Sequence, residues 1–204
     1  MKPSDINRLI LSAEQVAQSQ QHPMATFLLS WTAWEALRTR FLRVVIKSMG
    51  WSIKDADQVM RDLRISSMES TAKVMVNLGM IDPSRWPGSS GRIWRKLLEV
   101  QQIRHRLDHG FDSLDPKLIY SASQFVLASL NHRSWLEGKE FKITAQSPFS
   151  VGDLLAHQTV GPKRDGFDQT RLRGMLVMSK TNTGRRKRLP STVSLQKVTN
   201  ELTI

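Results

Sequence analysis

Met24-Ala25-Thr26-Phe27-Leu28-Leu29-Ser30-Trp31-Thr32-Ala33-Trp34-Glu35-Ala36-Leu37-Arg38-Thr39-Arg40-Phe41-Leu42-Arg43-Val44-Val45 decides the fold class of this chain. Wound at about 3.6 residues per turn, Met24, Phe27, Leu28, Trp31, Trp34, Phe41, Leu42 and Val45 form one apolar stripe, with arginines on the opposite side. The pattern predicts a core helix of roughly six turns or more, ended near Gly50. Residues 24–49 are the most apolar stretch of the chain, yet they carry Glu35, Arg38, Arg40 and Arg43, charges that a membrane span would not tolerate.

Helical periodicity continues on both sides. Ile6, Leu9, Ile10, Ala13, Val16 and Ala17 predict a first helix over residues 4–20, broken at His22-Pro23. Ser52-x-x-Asp55 and Ser66-x-x-Glu69 are capping-box patterns that predict two shorter helices. Asp82-Pro83 through Gly91 reads as a loop. Ile93, Leu97, Val100 and Leu107 then share a helical face, and Gly110 ends that element. Asp115 as N-cap with Pro116 at the first helical position opens another helix, filled by Leu118, Ile119, Ala122, Phe125, Val126 and Leu130 as far as Trp135. Nothing before residue 138 alternates as a strand does. The expected fold is all-α: an up-and-down bundle of about four long helices with short ones inserted, spanning residues 1–138.

Residues 139–204 differ in character and are expected to form a small basic extension or subdomain, partly ordered only with a partner. Ser150-x-x-Asp153 caps a short predicted helix, Arg171–Met178 is a candidate strand, and Arg185-Arg186-Lys187-Arg188 is a basic cluster. The chain has 204 residues, a formal charge of +12 and a pI near 10.6, a balance that attracts polyanions. The excess is uneven: residues 139–204 carry 12 basic and 5 acidic side chains. With no cysteine, disulfides and thiolate zinc sites are excluded. The first residues hold no apolar run of the kind that opens a secretory leader, so a soluble cytoplasmic protein is expected.

The chemistry concentrates at Ile103-Arg104-His105-Arg106-Leu107-Asp108-His109-Gly110. On an ideal helix, residues five apart are rotated by about 140° and rise about 7.5 Å. Arg104 and His109 therefore do not share a face. To meet at one phosphate they need a bend between them or a contribution from a second subunit. His105 and His109, four apart, do share a face. An imidazole near neutral pKa takes or gives a proton, and a guanidinium grips phosphate oxygens in pairs. Together they suit RNA cleavage by its own 2′-hydroxyl without metal or cofactor. Chelation of zinc by His105 and His109 is the competing chemistry, and it lacks an assigned third ligand.

Arg104-His105-x-x-x-His109 resembles the Arg-polar-x-x-x-His signature of the HEPN superfamily, whose active members are mostly metal-independent ribonucleases. The segment Phe27–Leu37, an apolar helix with Glu35 embedded, is similar to the corresponding helix of HEPN subfamilies, and the resemblance covers about residues 4–137. It implies a homodimer that brings two motifs into one cleft, with Arg104 and His109 as the catalytic pair and His105 in the polar position. Asp108 and Glu35 are candidate supporting residues, Glu35 as a partner that orients Arg104 or His109, against a plain salt bridge to Arg38. Arg106 and the Arg185–Arg188 cluster are candidate RNA contacts. Some HEPN toxins carry a tyrosine two residues after the histidine for modification by a partner enzyme. Here Phe111 stands there, so that mode of control is not expected.

The resemblance implies a toxin or antiviral-defence ribonuclease, with an antitoxin or companion protein as a possible partner. A non-catalytic HEPN-like module that binds RNA or docks a partner is the alternative, and a basic helical DNA-binding protein is a third, without a recognition helix. His22, His132 and His157 are isolated and expected at helix caps or the surface. The six tryptophans are expected in the core, except Trp86, which a loop exposes for stacking on a base.

Overall fold

Three helices begin on proline, whose missing N–H costs nothing at the first helical position. The computed structural model describes residues 2–19, 21–48, 52–65, 70–71, 73–74, 89–110, 114–131, 173–174 and 189–203. In chain order its helices are α1 (Pro3–Ser19), α2 (Pro23–Ser48), α3 (Ile53–Asp62), α4 (Ser89–Asp108), α5 (Pro116–Asn131) and α6 (Thr192–Thr203). No strand occurs among the described residues. The all-α expectation holds.

Caps fall where the sequence places them. The Ser52 hydroxyl accepts from the Asp55 N–H at 3.1 Å and donates to the Asp55 carboxylate at 2.5 Å. The Asp115 carboxylate accepts from the Lys117 N–H at 2.9 Å, and Pro116 opens α5. Gly110 closes α4 at φ +69°, a left-handed conformation that glycine adopts without steric cost. The expected loop Asp82–Gly91 is shorter at its end, because α4 already begins at Ser89.

α2 and α5 form the central pair, with α1 packed on α2 and α6 on α5, while α3 rests against α2 and α4 against α5 and α6. Phe27, Trp31, Trp34, Leu37 and Phe41 of α2 are fully buried, as are Ala122, Phe125 and Val126 of α5. Small buried residues let the two backbones approach, and the buried serines return their hydroxyls to the helix: Ser30 donates to Phe27 O at 3.0 Å and Ser129 to Phe125 O at 2.7 Å. α4 reaches the core through bulkier side chains, with Trp94 edge-to-face on Trp34 at a centroid distance of 5.6 Å.

Two placements depart from the sequence reading. The segment after residue 138 does not stay wholly outside the bundle: Leu195 of α6 is fully buried and Val198 nearly so, within the same core cluster as α1 to α5. Lys96 of α4 also bonds the Ser194 hydroxyl at 3.2 Å. Arg38, expected on the solvent side of α2, is only 5 % exposed. Its position explains why: it follows Trp34 by four and precedes Phe41 by three, so it occupies a place in the apolar stripe itself.

Several expectations lie outside the described residues: the Ser66-x-x-Glu69 cap, residues 82–88 with Trp86, the helix from Ser150, the Arg185–Arg188 cluster, His132, His157, Trp51 and Trp135. Of the candidate strand Arg171–Met178, the described Arg173 and Gly174 have helical backbone. Arg173 pairs with Asp62 at the end of α3.

Candidate functional site

The last turn of α4 carries the motif to the surface. Ile103 is fully buried and anchors the turn, so Arg104 and His105 flank the anchor half-exposed, while Arg106, Asp108 and His109 are exposed. α4 ends at Asp108, and the helical bond pattern persists one residue further, with His109 N–H donating to His105 O at 3.2 Å. Gly110 then turns the chain away, its N–H donating to Leu107 O. Among the described residues no hydrogen bond joins Arg104 to His109, and the backbone between them stays helical. One chain therefore does not bring the two groups together.

Arg104 is held by carboxylates. Its Nη1 lies 3.1 Å from Asp108 Oδ2, one turn on, and its Nε lies 3.8 Å from Glu35 Oε1 of α2. The ion pair of Glu35 thus reaches across to Arg104. Arg38 joins the same charge group: burial pulls its guanidinium down to about 10, the Glu35 carboxylate opposes that shift, and Arg104 adds to it. Glu35 sits between two cations and lowers the cost of keeping both. Sequence reasoning overlooked Arg38 as a site residue, although an arginine standing where the stripe calls for a hydrophobe was a signal in plain view.

His105 lies with Nε2 3.3 Å from the Gln101 amide nitrogen. With the amide donating, Nε2 accepts. Beside the motif is a cavity of about 280 Å³ lined by Met24, Leu28, Leu107, Asp108, Gly110 and Leu114. Met24 and Leu28 are 48 % and 40 % exposed, so this end of the bundle is an open apolar surface next to the charged turn. Among the described residues no three histidine, aspartate or glutamate side chains gather as a metal site would require. Phe111 and Asp112 lie outside the described residues.

Compared with protein-family models, with curated proteins and with solved structures, the chain matches none. Among the described residues no helix is long and apolar enough to cross a membrane. The functional reading therefore rests on the turn itself. One exposed imidazole, a half-exposed one, an ion-paired guanidinium and an exposed basic side chain at Arg106 share about six residues of surface with an apolar shelf. That set can bind a phosphodiester and transfer a proton, provided a second imidazole or guanidinium arrives from elsewhere.

Proposed function

We propose that this protein is a metal-independent endoribonuclease of the HEPN type, acting as a homodimer in the cytoplasm as part of a toxin–antitoxin or antiviral-defence system. The observation that carries the proposal is the end of α4, where Arg104 is fixed by Glu35 and Asp108 and His109 is exposed immediately beyond the helix. In a two-fold dimer, two such turns face one cleft. One His109 takes the proton from the RNA 2′-hydroxyl as that oxygen attacks phosphorus. The partner's His109 protonates the departing 5′-oxygen as the P–O bond breaks. Arg104 binds the non-bridging oxygens, where negative charge builds up. Products are a 2′,3′-cyclic phosphate and a 5′-hydroxyl. The exposed Met24 and Leu28 beside the motif give a second copy apolar surface to bury.

The test is incubation of purified protein with RNA in EDTA, followed by mapping of the cleaved ends. His109→Ala should abolish cleavage with the fold intact, since an exposed side chain is lost. Arg104→Lys should largely fail, because an ammonium keeps charge without the planar fork. Cleavage that needs added metal, or survives in His109→Ala, refutes the mechanism. One observation favours the alternative of a non-catalytic RNA-binding or docking module: Arg104 already has two carboxylate partners and no contact with His109. Under that alternative the protein binds RNA, leaves it whole, and is monomeric by light scattering.

A further inference from the structure

In the C-terminal half of α2 lies a cavity of about 510 Å³ between α2 and α3. Among the described residues four arginines line it, Arg38, Arg43, Arg61 and Arg64, against a single acidic side chain, Asp57. That carboxylate is already engaged, bonded by Arg43 Nε at 2.7 Å and Nη2 at 2.9 Å. Arg61 bonds the neutral Gln58 side-chain oxygen at 2.9 Å and Arg38 has Glu35 nearby, so among the described lining residues Arg61 and Arg64 are the guanidiniums with no carboxylate of the wall beside them. The remaining wall is apolar, from Leu42, Met60 and Ile65, with the Thr39 and Thr71 side chains between.

Arg64 marks the cavity as built for something. It follows the C-cap of α3, where Ile65 N–H donates to Met60 O at 2.8 Å and Arg64 N–H to Arg61 O at 2.9 Å, the bond pattern of a Schellman ending. The residue at the turn must then be left-handed, and Arg64 has φ +55°. Glycine is the usual occupant, and a side chain there strains the backbone. The Arg64 side chain has no hydrogen bond or ion pair among the described residues, and it lines the cavity. Strained backbone bearing a free cation into a cavity is the combination expected of a ligand clamp.

The geometry points to a nucleotide-binding site in this cavity, with Arg61 and Arg64 on the phosphate and the flat base on the apolar wall. Phosphate suits the guanidinium fork, and a base suits the Leu42–Met60–Ile65 wall. Arg38 is the residue this cavity shares with the Glu35–Arg104 group, but the site rests on Arg61 and Arg64 and stands without the cleavage chemistry proposed above. Its occupant is either a free nucleotide or one nucleotide of a strand crossing α2.

Calorimetric titration of the full chain separates these sources, using adenosine 5′-monophosphate in one arm and a 2′-O-methylated RNA hexamer in the other. Arg64→Gly and Arg61→Gln should each weaken binding at least tenfold, and Arg64→Gly should raise the melting temperature or leave it unchanged. Weakening with the mononucleotide assigns a free nucleotide; weakening with the hexamer alone assigns a strand. The proposal is overturned when neither arm is weakened by the two substitutions, or when His109→Ala weakens the mononucleotide as much as Arg64→Gly does.

Discussion

Replacing Leu195 by alanine tests whether α6 belongs to the bundle. Leu195 is fully buried in the common core, and its helix also contributes Val198. Truncating a buried leucine to alanine costs about 2–5 kcal/mol, the transfer loss plus the cavity left behind. At a size where 1 kcal/mol moves the midpoint by about 2–4 °C, a cost near 3 kcal/mol lowers the melting temperature by roughly 6–12 °C. Val193, two residues away and 74 % exposed, supplies the control: its alanine variant should fall within about 0.5 kcal/mol of the parent. Circular dichroism melts and urea titrations of the three proteins decide it. Leu195→Ala as stable as Val193→Ala refutes the docking of α6 and restores a detached arm. The same reasoning warns against truncating the chain before residue 184 to test the basic cluster, since that would remove a core helix and confuse lost charge with lost fold.

Arg38→Met should stabilise the protein at neutral pH. The folded-state value of about 10 lies below the usual guanidinium value, so below about pH 10 both states are charged and burial costs on the order of 3 kcal/mol. Between about pH 10 and the usual value the unfolded chain binds the extra proton, so this penalty fades as pH rises and the variant's advantage should shrink. Denaturant midpoints of parent and variant at pH 7 and pH 10.5 check both statements; a variant less stable at pH 7 refutes them. Changing Arg185, Arg186, Lys187 and Arg188 together to glutamine should flatten the salt dependence of RNA binding by up to about 3 in the log–log slope, with the melt unchanged, as measured by filter binding across salt concentrations. Asp108→Asn should tighten binding of uncleaved RNA, because it removes an anion that competes for Arg104; fluorescence anisotropy showing weaker binding counts against Arg104 as a phosphate ligand.

The parts of the fold legible in the sequence are those fixed by neighbours. The stripe from Phe27 to Leu42, the Ser52 and Asp115 caps and the Gly110 stop each depend on residues within a turn or two. α6 was legible in principle, since Leu195, Val198 and Leu202 recur at helical spacing, but its burial depends on α4 and α5, far away in the chain. A basic, Ser/Thr-rich neighbourhood disguised a short amphipathic helix. The site divides the same way. Arg104, His105 and His109 were visible as a string, whereas the Glu35–Arg104 pair depends on how α2 and α4 pack. The arginine cavity was not legible, because it needs α3 to end in a left-handed turn that brings Arg64 beside Arg38 and Arg43.

The carboxylates around Arg104 bear on function in either direction, and magnitude decides between them. A guanidinium locked in a buried pair would be lost to substrate, since breaking such a pair costs about 3–5 kcal/mol. Arg104 is not locked: its side chain is 35 % exposed, Glu35 33 % and Asp108 42 %, and the contact to Glu35 is an ion pair at 3.8 Å, too long for a hydrogen bond. Pairs this exposed are worth about 0–1 kcal/mol, and an i,i+4 helix pair about 0.2–0.5. A phosphodiester that accepts two parallel bonds from the planar fork outweighs either contact. Under the proposed function, Glu35 and Asp108 therefore orient Arg104 without holding it back from RNA. Arg38 has the opposite situation: at 5 % exposure and in the apolar stripe it stays inside the bundle, its guanidinium lowered by burial, with Glu35 opposing that shift and Arg104 adding to it.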